Sequence, residues 1–224
     1  MINIAIDGPS GAGKSTIAKA VAKKKGYIYV DTGALYRSIG LYVYRLGISK
    51  EDKEAIKSVL PQISLELGYV EGVQRVYLNK EDVSEEIRMP EISMYASAVS
   101  AIQEVRDFLL ELQRDMAKKH DVIMDGRDIG TVILPDATVK VFMTATDEGR
   151  AKRRYKELCE KGVETTFEEV LSDMIKRDKA DSTREIAPAV PAADAVFFDN
   201  TEFGIEESVD EIIKIIDNAI AKRG

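Results

Sequence analysis

The stretch Ile2-Asn3-Ile4-Ala5-Ile6-Asp7 runs into Gly8-Pro9-Ser10-Gly11-Ala12-Gly13-Lys14-Ser15-Thr16. The second part fits G-x-x-x-x-G-K-[ST] at every fixed position. An apolar, β-rich run leads in, and the helix-compatible stretch Thr16–Lys25 leads out. A phosphate-binding turn needs that order. Glycines let main-chain N–H groups converge on oxyanions without a Cβ in the way. The start of a helix adds partial positive charge at the same point. The Lys14 ammonium is placed to bridge the outer phosphates of a nucleoside triphosphate, and the Ser15 hydroxyl to ligate Mg²⁺.

Four further short segments resemble the first in being continuously apolar: Tyr27–Asp31, Val122–Asp125, Val139–Met143 and Ala195–Asp199. Unbroken apolar runs of this length are typical of strands buried on both faces of a parallel sheet. Helical stretches lie between them. Thr16–Lys25 stops at Gly26, Ala34–Leu46 stops at Gly47, and a long helix is expected from about Glu91 to Lys119. Alternating strands and helices predict a doubly wound α/β fold with a five-stranded parallel sheet. Two regions depart from the alternation. Residues 62–88 alternate with period two around Gly68 and Gly72, as a small antiparallel sheet would. Residues 147–186 form a charged helical pair broken at Lys161-Gly162, with apolar content too thin for deep burial, and read as a solvent-facing lid. The closing segment puts Ile205, Val209, Ile212, Ile216 and Ile220 on one helical face against the sheet.

The chain has 224 residues, 45% of them hydrophobic, and a net charge of −7. That supports one sizeable packed domain and argues against a general nucleic-acid binder, which would carry a basic surplus. The arginines are instead concentrated: Arg150, Arg153, Arg154, Arg177 and Arg184 all fall between 150 and 184. Such local gathering points to a small anionic ligand. The N-terminal run reads as a strand and not as a signal peptide, and no apolar run reaches the length of a membrane span. The single cysteine, Cys159, suits a reducing compartment, and with one histidine a zinc cluster is excluded. A cytoplasmic monomer with no membrane, nucleic-acid or protein partner is the expectation.

The phosphate loop does not by itself set the reaction. GTPases usually carry an Asn-Lys-x-Asp guanine motif; none is expected in this chain, and that class is set aside in favour of a small-molecule kinase. The second strand ends in Asp31-Thr32-Gly33-Ala34-Leu35-Tyr36-Arg37. Ligands in open α/β sheets sit at such carboxyl ends, so Arg37, one and a half turns into the next helix, could reach an acceptor phosphate. The third strand ends in Asp125-Gly126-Arg127-Asp128-Ile129-Gly130-Thr131, where Asp125 holds the position expected to act on Mg²⁺. Arg177, Asp181 and Arg184 share a helical face if the helix persists that far, and so do Arg150, Arg153 and Arg154. The plain alternative for these last three is pairing with Glu157 or Glu160 on a solvated face.

Taken together, Gly8–Thr16, Asp31–Arg37, Asp125–Thr131 and Arg177…Asp181…Arg184-Glu185-Ile186-Ala187-Pro188 resemble the bacterial cytidylate kinases over essentially the whole chain. The resemblance implies a P-loop nucleoside monophosphate kinase fold in a single kinase domain, 1–224. It divides into a core (1–37, 91–146 and 187–224), an acceptor-binding insert (about 38–90) and a lid (about 147–186). It implies transfer of the γ-phosphoryl of ATP to CMP or dCMP with Mg²⁺. ATP would lie on Gly8, Pro9, Ser10, Gly11, Ala12, Gly13, Lys14, Ser15 and Thr16, with Ser15 and Asp125 as metal ligands. Ser97, Arg106 and Asp128 would address the cytosine edge, and Arg177 and Asp181 the sugar hydroxyls. Arg37, Arg127 and Arg184 would hold the acceptor phosphate. Thr32 stands where family members often have Ser and keeps the hydroxyl. Lys14, Asp125, Arg127, Arg153 and Arg154 form the expected catalytic set. A kinase of another small acceptor, such as UMP, AMP or shikimate, and a nucleotide-dependent switch are the competing readings.

Overall fold

The computed structural model describes residues 1–222. The chain divides into two compact units: residues 1–29 with 119–224, and residues 30–118. The helices are α1 (Lys14–Lys25), α2 (Thr32–Arg45), α3 (Lys53–Val59), α4 (Pro90–Ser100), α5 (Gln103–Lys119), α6 (Asp147–Glu160), α7 (Phe167–Thr183) and α8 (Ile205–Ala221). The strands are β1 (Asn3–Asp7), β2 (Ile28–Asp31), β3 (Leu65–Val70), β4 (Val73–Leu78), β5 (Glu81–Asp82), β6 (Val122–Gly126), β7 (Val139–Thr144) and β8 (Val196–Asp199).

The predicted parallel sheet is present, in the order β2-β6-β1-β7-β8. The central strand β1 pairs in parallel with β6 and β7, bringing Ile6 level with Asp125 on one side and Val141 on the other. Ile4, Ile6, Ile123, Val141 and Met143 are buried from both faces and pack with Ile17 and Val21 of α1 and Val209, Ile212 and Ile216 of α8. Burial of this apolar area is the main driving force for the unit. Ile205 departs from the expected stripe: as the first residue of α8 it stays exposed, while the three residues after it on the same face are buried. Among the described residues no helix is long and apolar enough to cross a membrane.

In the other unit, Leu35, Ile39 and Leu41 of α2 pack with Ile56, Leu78, Ile92, Val99 and Leu109 in a second core. The antiparallel insert expected at 62–88 is a three-stranded sheet, β3-β4-β5. Its hairpin turns at Glu71-Gly72, both at positive φ, as a two-residue turn requires. Gly68 marks no turn. It lies within β3 opposite Arg75, and a Cβ there would come within 2.9 Å of the Tyr77 ring.

Two expectations need correcting. The helix foreseen from Glu91 to Lys119 is two helices, interrupted at Ala101-Ile102 without a glycine or proline. Ile102 is buried at the break, and the Arg106 guanidinium reaches back to the Ser100 carbonyl at 3.1 Å, satisfying an acceptor that the end of α4 leaves open. The second correction concerns the GTPase class. Asn79-Lys80-Glu81-Asp82 does spell the guanine pattern. It forms the exposed turn from β4 into β5, with Asn79 and Lys80 at positive φ and the Asn79 Oδ1 accepting the Ser64 N–H at 2.7 Å. The pattern is used as a hairpin of the small sheet, so GTPases stay set aside on context and not on absence.

Candidate active site

The phosphate loop follows β1 directly. Gly8 has φ +146 and its missing Cβ would sit 1.9 Å from the Met143 carbonyl oxygen, so only glycine fits where the chain leaves the sheet. Gly13 adopts a left-handed conformation as the N-cap of α1, whose first N–H groups have no side-chain cap. Inside this turn the Lys14 Nζ donates to the Pro9 carbonyl at 2.7 Å. Burial, and next the charge of Arg127, hold the Lys14 ammonium well below its ordinary range, while Asp125, Asp7 and Asp178 oppose them. A polyphosphate in the loop would act in the same direction as those carboxylates.

Beside the loop, at the end of β6, Asp125 is buried and fully engaged. Its Oδ2 accepts the Ser15 hydroxyl at 2.6 Å and its Oδ1 the Tyr29 hydroxyl at 2.8 Å. Ser15 and Asp125, read from sequence as a metal-binding pair, are thus in contact. Two hard oxygen donors fit Mg²⁺, which takes one or two ligands from protein and the rest from phosphate and water. After Asp125 the chain turns through Arg127 and Asp128 into a single π-helical turn, Ile129–Ile133. The buried Asp7 accepts the N–H groups of Ile129 at 2.8 Å and Gly130 at 2.7 Å, anchoring that turn to β1. Burial pushes the Asp7 carboxyl up to about 6, against the lowering effect of those two N–H bonds.

Helices α6 and α7 border the same loop. The Asp178 carboxylate accepts the Ser10 N–H at 3.0 Å, and Arg150 donates to the Ser10 carbonyl at 2.6 Å. Arg150 is also bound to Asp178, Asp147 and the Ala145 carbonyl. The helical pair therefore buries more than its composition suggests. Ala151, Val170 and Met174 form a small apolar cluster, and Arg150 and Asp181 are themselves buried. Of the three neighbouring arginines, Arg154 pairs with Glu157 at 2.8 Å, the plain alternative foreseen from sequence. Arg153 donates to the Asn200 side chain at 3.1 Å and its carbonyl at 2.8 Å.

Arg127 bonds Asp181 at 3.2 Å, so two residues far apart in the chain meet. Arg177 is half-buried on α7. Arg184 does not continue that helix, which ends at Thr183, and its backbone is extended. It nonetheless lies 3.7 Å from Asp128 and donates to the Ala187 carbonyl at 2.7 Å. Ala187 itself has φ +47, an uncommon conformation for alanine and more so before a proline.

The second unit carries the remaining candidates. Thr32 is buried at the start of α2, and Arg37 pairs with Asp31 at 2.7 Å. Arg106 is buried over the Tyr36 ring, 5.5 Å from its centroid. Ser97 and Arg106 sit on consecutive helices, not on one, because of the break at Ala101-Ile102.

A family model described as cytidylate kinase matches residues 4–218. The chain is 53% identical to the cytidylate kinase of Caldicellulosiruptor saccharolyticus over 96% of its own length and 95% of that protein. It is 48% identical to that of Thermosipho melanesiensis, covering 95% of each. This chain belongs to the cytidylate kinase family. Among solved structures, an uncharacterized protein from Eubacterium ventriosum ATCC 27560 aligns with a TM-score of 0.52 over 97% of this chain and 99% of that one, at 16% identity, a likeness of fold.

Three residues of this cytidylate kinase homologue escaped the sequence reading. Asn200 donates from Nδ2 to the Ala12 carbonyl at 3.0 Å and so grips the loop. Its place just after the last parallel strand, at a carboxyl end, was the available signal. Asp178 is adjacent to Arg177 in sequence but gave no pattern of its own. Asp7 immediately precedes Gly8 and was read only as the end of a strand.

Proposed function

We propose that the chain transfers the γ-phosphoryl of ATP to CMP or dCMP, yielding ADP and CDP or dCDP. The observation that carries this is the Ser15–Asp125 contact beside a glycine-built phosphate turn containing Lys14, in a member of the cytidylate kinase family. The loop residues Gly8–Thr16 hold the donor's phosphates. Ser15 and Asp125 would hold Mg²⁺, which when bound neutralises phosphate charge. Arg37, Arg127 and Arg184 hold the acceptor phosphate. Asp128, Ser97 and Arg106 address the base, and Arg177 and Asp181 the sugar. Thr32 would add a hydroxyl for the acceptor.

An acceptor phosphate oxygen attacks the γ-phosphorus in line, and the bond to the ADP oxygen breaks as the new one forms. The attacking oxygen is already anionic near neutral pH, so no strong general base is needed. Rate enhancement comes from positioning and from charge neutralisation by Lys14, Arg127 and a lid arginine, Arg153 or Arg154. Closure of residues 147–186 excludes water that would otherwise hydrolyse ATP. In this reading 1–37, 91–146 and 187–224 form the core of one kinase domain, and about 38–90 the acceptor insert. The protein works in the cytoplasm as a monomer with nucleotides as its partners.

The test is ADP release with CMP, dCMP, UMP and AMP as acceptors. CMP and dCMP should give turnover well above the other two. Four inert acceptors would end the kinase reading, and a clear preference for AMP or UMP would end the cytidylate assignment.

A further inference from the structure

Arg37 is held by a small construction at the end of β2. Its Nη2 donates to the Asp31 Oδ2 at 2.7 Å, while the Asp31 Oδ1 accepts the Ala34 N–H at 2.9 Å and caps α2. One carboxylate thus fixes both the helix start and the guanidinium. Space for that guanidinium depends on Gly33, where a Cβ would lie 2.9 Å from the Arg37 Nη1 and 3.2 Å from the Asp31 Oδ1. The Arg37 Nε is buried without a hydrogen-bond partner among the described residues. A cationic N–H left dry is costly, and an oxyanion reaching it would remove that cost.

Asp31 is itself held by its main chain. Its N–H donates to the Gln74 Oε1 at 2.8 Å, and its carbonyl accepts from the Gln74 Nε2 at 3.3 Å. Gln74 lies in β4 of the small sheet, opposite Tyr69. Its side-chain amide offers one acceptor and one donor side by side, as a neighbouring strand would, and so extends β4 to the end of β2. Only Asn and Gln present that combination, and Asn is shorter.

We propose that Gln74 is a positioning residue for acceptor binding: by clamping the main chain of Asp31 it sets the carboxylate that orients Arg37. The proposal rests on the reading of Arg37 as the acceptor-phosphate group. It makes the antiparallel insert a determinant of acceptor affinity without contact between Gln74 and substrate.

The experiment is steady-state kinetics of the full chain with ATP and CMP, in wild type, Gln74→Leu, Gln74→Glu, Arg37→Ala and the double variant Gln74→Leu/Arg37→Ala. Gln74→Leu has a similar volume and no hydrogen bonds. It should raise the KM for CMP about tenfold, with the KM for ATP and kcat changed by no more than about twofold. In the double variant Gln74→Leu should add less than about twofold, since both act through one group. Gln74→Glu keeps the acceptor for the Asp31 N–H and loses the donor, so an intermediate KM rise is expected even if Gln74→Leu folds poorly. An unchanged KM for CMP in Gln74→Glu and Gln74→Leu, with Arg37→Ala impaired, overturns the clamp and leaves the Arg37 reading standing. So does a Gln74→Leu penalty that multiplies undiminished on Arg37→Ala, the mark of a structural staple. If Arg37→Ala itself binds CMP normally, the Arg37 reading fails and the proposal falls with it.

Discussion

The phosphate loop and the Asp31–Arg37 turn, proposed here as the donor and acceptor phosphate cradles, are built from different materials. The loop presents main-chain N–H groups, fixed by glycines at positive φ and gripped from outside by Asn200, Asp178 and Arg150. The turn presents one guanidinium, fixed by a carboxylate and a neighbouring glutamine amide. A main-chain cradle can be ruined only by changing the path of the backbone. A side-chain cradle can be loosened in steps. The two should therefore respond differently to substitution: loop changes as losses of folding or chemistry, turn changes as losses of acceptor affinity.

The largest expected effect is at Lys14. Lys14→Ala should lower kcat by about a thousandfold, on the order of 4 kcal/mol, measured by ADP release with saturating CMP; full activity would remove the loop from the mechanism. Next is Gly8→Ala, whose Cβ would overlap the Met143 carbonyl. A loss of about 3–4 kcal/mol in urea unfolding is expected, and a wild-type midpoint would contradict the close approach.

Asp7 ties the end of β1 to the turn at Ile129-Gly130, and its titration gives a signed test. Its folded carboxyl titrates near 6, above the ordinary 3.8. The folded state therefore keeps this proton where the unfolded state has lost it. The associated stability is fully present below 3.8 and is lost as pH rises through about 6. Asp7→Asn does not titrate, so its stability relative to wild type should improve by on the order of 3 kcal/mol between pH 3.8 and 6. A difference independent of pH would show that the burial of Asp7 is not felt.

Smaller effects come from the side-chain region and the lid. Gly33→Ala has an ordinary helical backbone and crowds only the flexible end of Arg37. It should fold normally and raise the KM for CMP several-fold, about 1 kcal/mol. Arg154→Ala breaks the half-exposed pair with Glu157, worth about 0.5 kcal/mol of stability. A large fall in kcat with that small stability change would select Arg154 over Arg153 as the lid arginine that acts in transfer.

The same contrast explains what could be read before the structure. The loop is local: eight consecutive residues with fixed spacing, between a strand and a helix, and so visible as a string. The five parallel strands were visible because burial on both faces leaves unbroken apolar runs. The break at Ala101-Ile102 was not, because it depends on where Ile102 is buried and on which carbonyl Arg106 reaches. Asn79-Lys80-Glu81-Asp82 shows the converse failure: a string with the letters of a nucleotide motif, used as a hairpin because its flanks alternate with period two. Arg37 was singled out from its place after a strand end, but Gln74, which secures it, stands 43 residues from Asp31 and has no pattern around it.

The grip of Asn200 on the Ala12 carbonyl spans 188 residues. On a ribosome the glycine turn is made well before the residue that fastens it. A nascent chain halted before β8 would carry every letter of the turn and lack that fastening, so the turn should be held in place only once Asn200 has been added.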